Sequence, residues 1–283
     1  MRTFLAPQQR GISMIELLVA LAISSFLLLG ISQIYLDNKR NHLFQQSQSS
    51  NSEGSRFVAL VLNDLLGKTG YRRAPDQAFE DAFPFKVAKD ECKAFEKGSA
   101  VTSTVDGLLG ICLRYQPLAS GEMDCQGDAT TAFDDSKAFQ PAPEASLVTL
   151  ALIYTPGNEL HEGTLTCKNI DAASAPSELL TGIADFRLEY GVGPKAMHEK
   201  KLVDGEQRFV EVNSWTSASG PIRAVRYSIL LASREQQRDG ESAVLTSWQN
   251  KSDDAAKARL EEGDRNRIYQ IASSTQTLRN LMP

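Results

Sequence analysis

The stretch Arg10-Gly11-Ile12-Ser13-Met14-Ile15-Glu16-Leu17-Leu18-Val19-Ala20-Leu21-Ala22-Ile23 opens a hydrophobic run that lasts to Leu36. From Leu17 to Leu36 there are 20 residues without a charge, and Ile12 to Leu36 makes 25 with a single acid, Glu16, inside it. As a helix, 25 residues rise about 38 Å, enough to cross a hydrocarbon core of about 30 Å with some tilt. A cleaved secretory signal is the poorer reading, because its apolar region runs only about 7–15 residues and ends at a small-x-small site. Here Gly30-Ile31-Ser32 leads into Gln33, Ile34 and Tyr35, with no Ala-x-Ala pattern. The run reads as a retained membrane helix.

Charges beside the run hardly orient it. Arg2 and Arg10 precede it, while Lys39 and Arg40 follow beside Asp37, and the positive-inside count is near balance. Cysteine usage says more: Cys92, Cys112, Cys125 and Cys167 all lie in the C-terminal part. An even number in an exported region favours disulfides and a non-cytoplasmic face, so the N-terminus belongs in the cytoplasm. Glu16 is the odd residue. An acid within a membrane helix costs about 2.5–3.5 kcal/mol on insertion scales and calls for a partner. Taken alone, it fits an interfacial carboxylate and a paired one equally well.

The residues around it separate the two. Gly11 ending a short basic leader, an apolar helix beginning at Ile12, and an acid five residues past the glycine resemble the class III signal of type IV pilins and type II secretion pseudopilins. That resemblance implies cleavage by prepilin peptidase between Gly11 and Ile12, and N-methylation of the new Ile12 amine. Ile12 departs from the phenylalanine most common at that place. Cleavage would free a positive amine beside the apolar zone, where a lone charge is costly. Glu16 can pair with a neighbouring subunit's amine and relieve two unpaired charges together.

Beyond the membrane run, no proline occurs between Pro7 and Pro75, and Phe57, Leu60, Val61 and Leu65 return with helical spacing. Gly67 and Gly70 then mark a helix end. One helix is expected from 12 to about 67, frayed around the polar Ser52-Glu53-Gly54, with the continuation placed at 37–70. The rest reads as strands: 108–115, 147–154, 159–167, 186–192, 222–232 and 268–278 are rich in branched and aromatic residues. Pro156-Gly157-Asn158 predicts a hairpin between the second and third. No helix–strand alternation with Gly-rich crossovers appears, which favours an antiparallel sheet. The stretch 74–100 reads as irregular, and 239–264 as a charged loop with a short helix near 253–262.

Three segments narrow the family. Gly182-Ile183 through Phe186, Tyr190 and Gly191, then Ile222–Arg234, then Arg267-Ile268-Tyr269 through Leu278-Arg279-Asn280 resemble, in this order, the signatures of PilW-type minor pilins. Each is degenerate alone and fits ordinary sheet core as well. The resemblance implies an α+β, pilin-like fold: a long N-terminal hydrophobic α-helix packed against an antiparallel β-sheet globular domain. Its parts would be a leader at 1–11, a membrane or filament-core helix at 12–36, the continuation at 37–70 and a β-rich domain at 71–283. By residues alone the four cysteines allow three pairings. Asp124-Cys125-Gln126-Gly127 and Leu165-Thr166-Cys167 resemble family positions that occur together, which implies Cys125–Cys167 and leaves Cys92–Cys112.

Other chemistries find little support. With 30 basic residues against 35 acids, a net charge of −5 and a pI near 5.4, the chain lacks the basic surface that nucleic acid requires. No C-x-x-C pair exists, so zinc and thioredoxin-like redox sites are disfavoured. Asp124, Asp128, Asp134 and Asp135 crowd one loop, but without the ordered spacing of a calcium loop. His42, His161 and His198 stand alone, and Trp215 and Trp248 fall in expected loops. There is no G-x-S-x-G, H-E-x-x-H or P-loop, so an enzyme with a catalytic site or cofactor is a poor fit.

The resemblance therefore implies a minor pilin of the type IV pilus, held in the inner membrane by one span with a periplasmic C-terminal domain and then moved into the pilus. It would act in the priming complex at the tip and support pilus biogenesis, twitching and adhesion. Implied partners are other minor pilins, the major pilin, prepilin peptidase, the inner-membrane assembly platform and a tip adhesin. The alternatives are a type II secretion minor pseudopilin, and a single-pass membrane enzyme or sensor that would keep Met1.

Overall fold

The computed structural model describes residues 13–137, 139–193, 208–238, 240–263 and 266–282. Among these residues, one helix, α1 (Met14–Lys68), is followed by a short α2 (Phe79–Ala82), nine strands, and helices α3 (Ala243–Gln249) and α4 (Asp254–Glu262) between the last two strands. The chain divides into two compact units, one ending at Gln46 and one beginning at Ser47. α1 contributes to both.

In the second unit, α1 buries Ser47, Asn51, Val58, Leu62, Leu65 and Leu66, a set spaced by three, four and seven that lies along one helix face. Leucines and valine fill the lower part of that face. The upper part is polar, yet the helix does not fray at Ser52-Glu53-Gly54 as expected. The Asn51 side-chain amide donates to the Ile268 carbonyl at 3.1 Å, and Gln270 donates to Ser55 at 3.4 Å. Gly54 lies against Leu180 and Leu231. Tertiary bonds hold what local propensity leaves weak. At the other end, the Asn280 amide donates to the carbonyls of Gly67 (2.9 Å) and Thr69 (3.1 Å), satisfying acceptors that a helix C-terminus leaves open. Gly70 then turns the chain with φ +72°, and a Cβ there would strike Leu281.

Two antiparallel sheets pack around this helix half. The first contains β1 (Val101–Ser103), β2 (Leu109–Tyr115), β3 (Val148–Thr155), β4 (Thr164–Asn169) and β5 (Ser177–Thr181) in that spatial order. The second contains β6 (Ile183–Val192), β7 (Arg208–Glu211), β8 (Ile222–Gln236) and β9 (Arg267–Thr277), ordered β7-β6-β8-β9. Leu113, Leu150 and Leu165 of the first sheet and Tyr190, Val225 and Ile229 of the second join Leu62 and Leu66 in one buried core. Gly182, with φ +84°, lies between β5 and β6, where the chain leaves one sheet for the other.

The expected β3–β4 hairpin is present, but β4 begins at Thr164 and not at Glu159. Residues 159–162 form a turn instead, and Leu160 is buried in a second cluster with Trp248, Leu260 and Tyr269. The loop expected at 239–264 contains α3 as well as α4, each capped by a side chain, Ser242 and Asp253. Trp248 is therefore a buried helix residue rather than a loop residue. Its indole N–H donates to Asp185 at 2.7 Å, and Arg259 pairs with the same carboxylate. Burial pushes the Asp185 carboxyl up, against the pull of Trp248 and then Arg259.

Residues 83–99 have almost no regular structure, and one side chain organises them. Arg114, fully buried on β2, donates to the carbonyls of Ser99 and Pro84 (both 2.7 Å) and of Phe83 and Glu96 (both 3.2 Å). Its guanidinium lies 4.6 Å from the Phe95 ring centre and 5.5 Å from that of Phe83. Burial lowers its pKa to about 10, which leaves it charged at neutral pH. A lysine has neither the fork nor the planarity to reach four carbonyls. Arg114→Lys is expected to destabilise the second unit by at least about 3 kcal/mol. Urea unfolding followed by tryptophan fluorescence checks this, and a cost under about 1 kcal/mol would refute the role.

Candidate assembly site

The first unit carries the exposed end of α1. Between Met14 and Leu36 every large apolar side chain is at least half exposed, from 53% at Leu17 and Val19 to 85% at Met14. Leu and Ala favour the helix, and Ser25 satisfies itself on the Ala22 carbonyl at 2.9 Å. Continuous apolar surface on this scale is covered in a cell by lipid or by other helices.

Glu16 is the one charged residue from Met14 to Leu36. It sits in the first turn of α1, where its backbone N–H donates to the Ser13 carbonyl at 3.0 Å. A carboxylate here faces the partial positive charge of the helix N-terminus. Among the described residues no cation pairs with it. Gly11 and Ile12 lie outside the described residues.

In the second unit, the structure bridges Cys92 to Cys112 and Cys125 to Cys167, with Cα separations of 5.8 and 6.2 Å. The first bridge fastens the Lys89–Cys92 turn to β2. The second fastens the acidic loop to β4. Asp124 orders that loop: one carboxylate oxygen accepts from the N–H groups of Gln126 (2.8 Å) and Asp128 (3.1 Å), the other from the Asn169 amide (2.7 Å). Asp134 accepts from Ser136, and Asp135 from the Ser120 N–H. The acids are thus turn acceptors, and no metal-holding group of three appears among the described residues. His42 is exposed on α1, His161 stands 3.5 Å from Glu159, and His198 lies outside the described residues. Trp215 packs edge-on against Tyr190 at 5.9 Å.

Beside the Cys125 loop, a shallow apolar groove of about 470 Å³ runs along the outer flank of α1, lined by Leu60, Leu65, Tyr115, Met123 and Leu179. Lys68 also lines it, bridging Asp64 (3.4 Å) and Glu122 (3.2 Å).

The residues that carried the sequence signatures have structural tasks. Gly182 makes the turn between sheets, and Phe186 and Tyr190 enter the core. The Tyr190 hydroxyl donates to the Thr102 carbonyl across the two sheets at 3.3 Å. A Cβ at Gly191 would lie 2.9 Å from Ala224. Asn280 caps α1. Sequence reading missed Asn51, Asn63, Arg114 and Asp185. Their signal was present in part, since a polar residue in an otherwise apolar periodic position marks a buried bond.

The family model "Type IV Pilus-assembly protein W" matches residues 153–280, and the "Prokaryotic N-terminal methylation motif" matches residues 7–32. The first covers under half of the chain and the second only its N-terminal end. No curated relative matches. Among solved structures, the type IV-like pilin TTHA1219 from Thermus thermophilus aligns over 82% of this chain and 98% of its own, with 13% identity and a TM-score of 0.40.

Replacing Cys125 and Cys167 together by serine should lower the unfolding free energy of the second unit by about 2–4 kcal/mol. A urea midpoint equal to that of the parent protein would contradict a bridging role.

Proposed function

We propose that this chain, which matches the Type IV Pilus-assembly protein W model and the N-terminal methylation motif, is a minor pilin of that family and serves in the priming complex at the pilus tip. The family is one of structural, membrane-associated subunits that assemble with other pilus components. The proposal adds the place and the mechanism.

Prepilin peptidase cuts between Gly11 and Ile12, and the new Ile12 amine is methylated and stays cationic. The 1–11 leader is lost, 12–36 becomes the membrane span and later the filament core, and the β-rich domain stands in the periplasm. The observation that carries this reading is the lone carboxylate of Glu16, one turn into an apolar helix that its own fold leaves bare. In lipid, the amine and Glu16 are each costly while unpaired. Docking beside another pilin brings the Glu16 carboxylate to that subunit's amine, and one contact removes both penalties. Helix packing adds surface but no register, because apolar side chains slide at little cost. The ion pair sets the register.

Nucleation is the step that gains most. The first few subunits lack the neighbours that a growing filament provides, so a subunit with a large second unit adds lateral contacts where helices alone are too few. The same unit would meet other minor pilins, the major pilin, the assembly platform and a tip adhesin.

Two measurements test the reading. N-terminal sequencing of membrane-extracted protein should give N-methylated Ile12 as the first residue; material still beginning at Met1 would overturn it. Glu16→Ala should leave cleavage intact and lower the amount in sheared pili at least tenfold, since removing one member of a buried ion pair costs about 3–5 kcal/mol. Unchanged incorporation of that variant would reject the register role, and loss of exoprotein secretion with normal pili would point to a pseudopilus.

A further inference from the structure

We propose that the outer edge of β9, over residues 271–277, accepts an added β-strand from a neighbouring pilus subunit standing in the same orientation. This rests on the reading of the chain as a filament subunit.

The four sheet edges differ sharply. β1 has three residues and is already covered: Lys93 donates its N–H to the Ser103 carbonyl at 3.1 Å, and Thr102 donates to the Ala94 carbonyl at 3.0 Å. β5 has five residues, a register shift against β4, and Glu178. β7 has four residues. Short length, bulges and charge are the usual protections of a sheet edge. β9 has 11 residues, and from Ile268 to Thr277 it contains neither a charge nor a proline. Its pairing with β8 runs without interruption from Ala224↔Thr277 to Ala232↔Tyr269. α1 touches its backbone near the start, through Asn51 on the Ile268 carbonyl. Among the described residues, the backbone groups of 271–276 have no partner beyond β8. Ile271, Ser273, Thr275 and Thr277 are exposed, with Ile271 at 44%.

An unpaired edge of this length, neutral and rich in Ile, Ser and Thr, matches an uncharged extended segment of five to seven residues. Orientation selects its source. Asn51 meets Ile268, Ser55 meets Gln270, and Asn280 meets Gly67, so residues 47–68 of α1 run in the same sense as β9. Pairing β9 with β9 of a second copy about a two-fold axis would turn those helix segments in opposite directions. Subunits that enter a filament from one membrane share one direction. In the order β7-β6-β8-β9 with every pair antiparallel, β7 and β9 run oppositely. A same-way neighbour of similar sheet order, shifted sideways, therefore offers its opposite edge antiparallel to β9, as sheet continuation requires.

The test uses the full chain in piliated cells, with a photo-crosslinking amino acid placed singly at positions 271 to 277 and adducts from sheared pili mapped by mass spectrometry. The expected result is one partner subunit, joined through one segment, with partner positions falling as the β9 position rises. Ile271→Lys with Thr275→Lys should reduce those adducts on the order of tenfold, with both disulfides intact on non-reducing gels. No adduct in a chain that is present in sheared pili would overturn the proposal alone. Adducts to a second copy, or to a helix of the partner, would do the same. Absence of the parent chain from pili would overturn the function reading and this inference with it.

Discussion

The bare apolar half of α1 is the constraint from which the remainder of the molecule follows. Residues 14–36 bury nothing against their own chain, so the favourable burial that normally offsets the ordering of a helix must come from lipid or from other helices. A surface so largely apolar gives little preference for register or partner. Selectivity has to come from something polar and rare. Glu16 is the one charged side chain in that span, and under the proposed processing its position in the first turn lies beside the new amine.

The second unit solves the opposite problem. Its share of α1 is amphipathic, and its polar residues are used as ties. Asn51 reaches the Ile268 carbonyl, Asn63 accepts from the Tyr227 hydroxyl at 3.2 Å, and Asn280 takes up the last carbonyls of the helix. Each bond is worth little net, about 1 kcal/mol, yet losing one partner leaves a buried group unsatisfied and costs more. Apolar packing by Val58, Leu62 and Leu66 gives affinity between helix and sheets. The amides fix where along the sheet the helix stops. The second half of the helix is thus pinned at three heights.

Much of this was legible because its causes are local. The absence of proline between Pro7 and Pro75, together with the return of apolar residues at Phe57 and Leu60, carries α1 in full. Branched residues in β2, β3, β6, β8 and β9 carry the long strands, and Pro156-Gly157 the hairpin. What stayed hidden has long-range causes. Ser52-Glu53-Gly54 reads as a weak point, because the bonds that hold it come from residues more than 200 positions away. β4 starts late because Leu160 is drawn into a cluster with Trp248 and Leu260, which no window around 159–167 contains. Trp248 looked like a loop residue since α3 is seven residues long and depends on Asp185, beyond its own segment, for its indole bond. The proposed assembly residues rest on motif alone: nothing in the periodicity of Gly11, Ile12 and Glu16 distinguishes a processing site from any membrane boundary.

Arginine has the part in the irregular regions that amides have along α1. Arg114 gathers four carbonyls, and Arg73 donates to those of Leu118, Asp135 and Lys137 while lying 4.9 Å from the Phe133 ring centre. Neither uses a carboxylate as its main partner. A carboxylate would fix one point, whereas a planar group with five donors fixes a loop over several residues and rests its faces on rings. This organisation lets 83–99 and 117–137 take shape without strands or helices. Among the described residues, 271–276 of β9 are then a long run of regular backbone with no partner on the outer side. Polar side chains close the loops and the helix end, and among the described residues they leave the outer edge of 271–276 open.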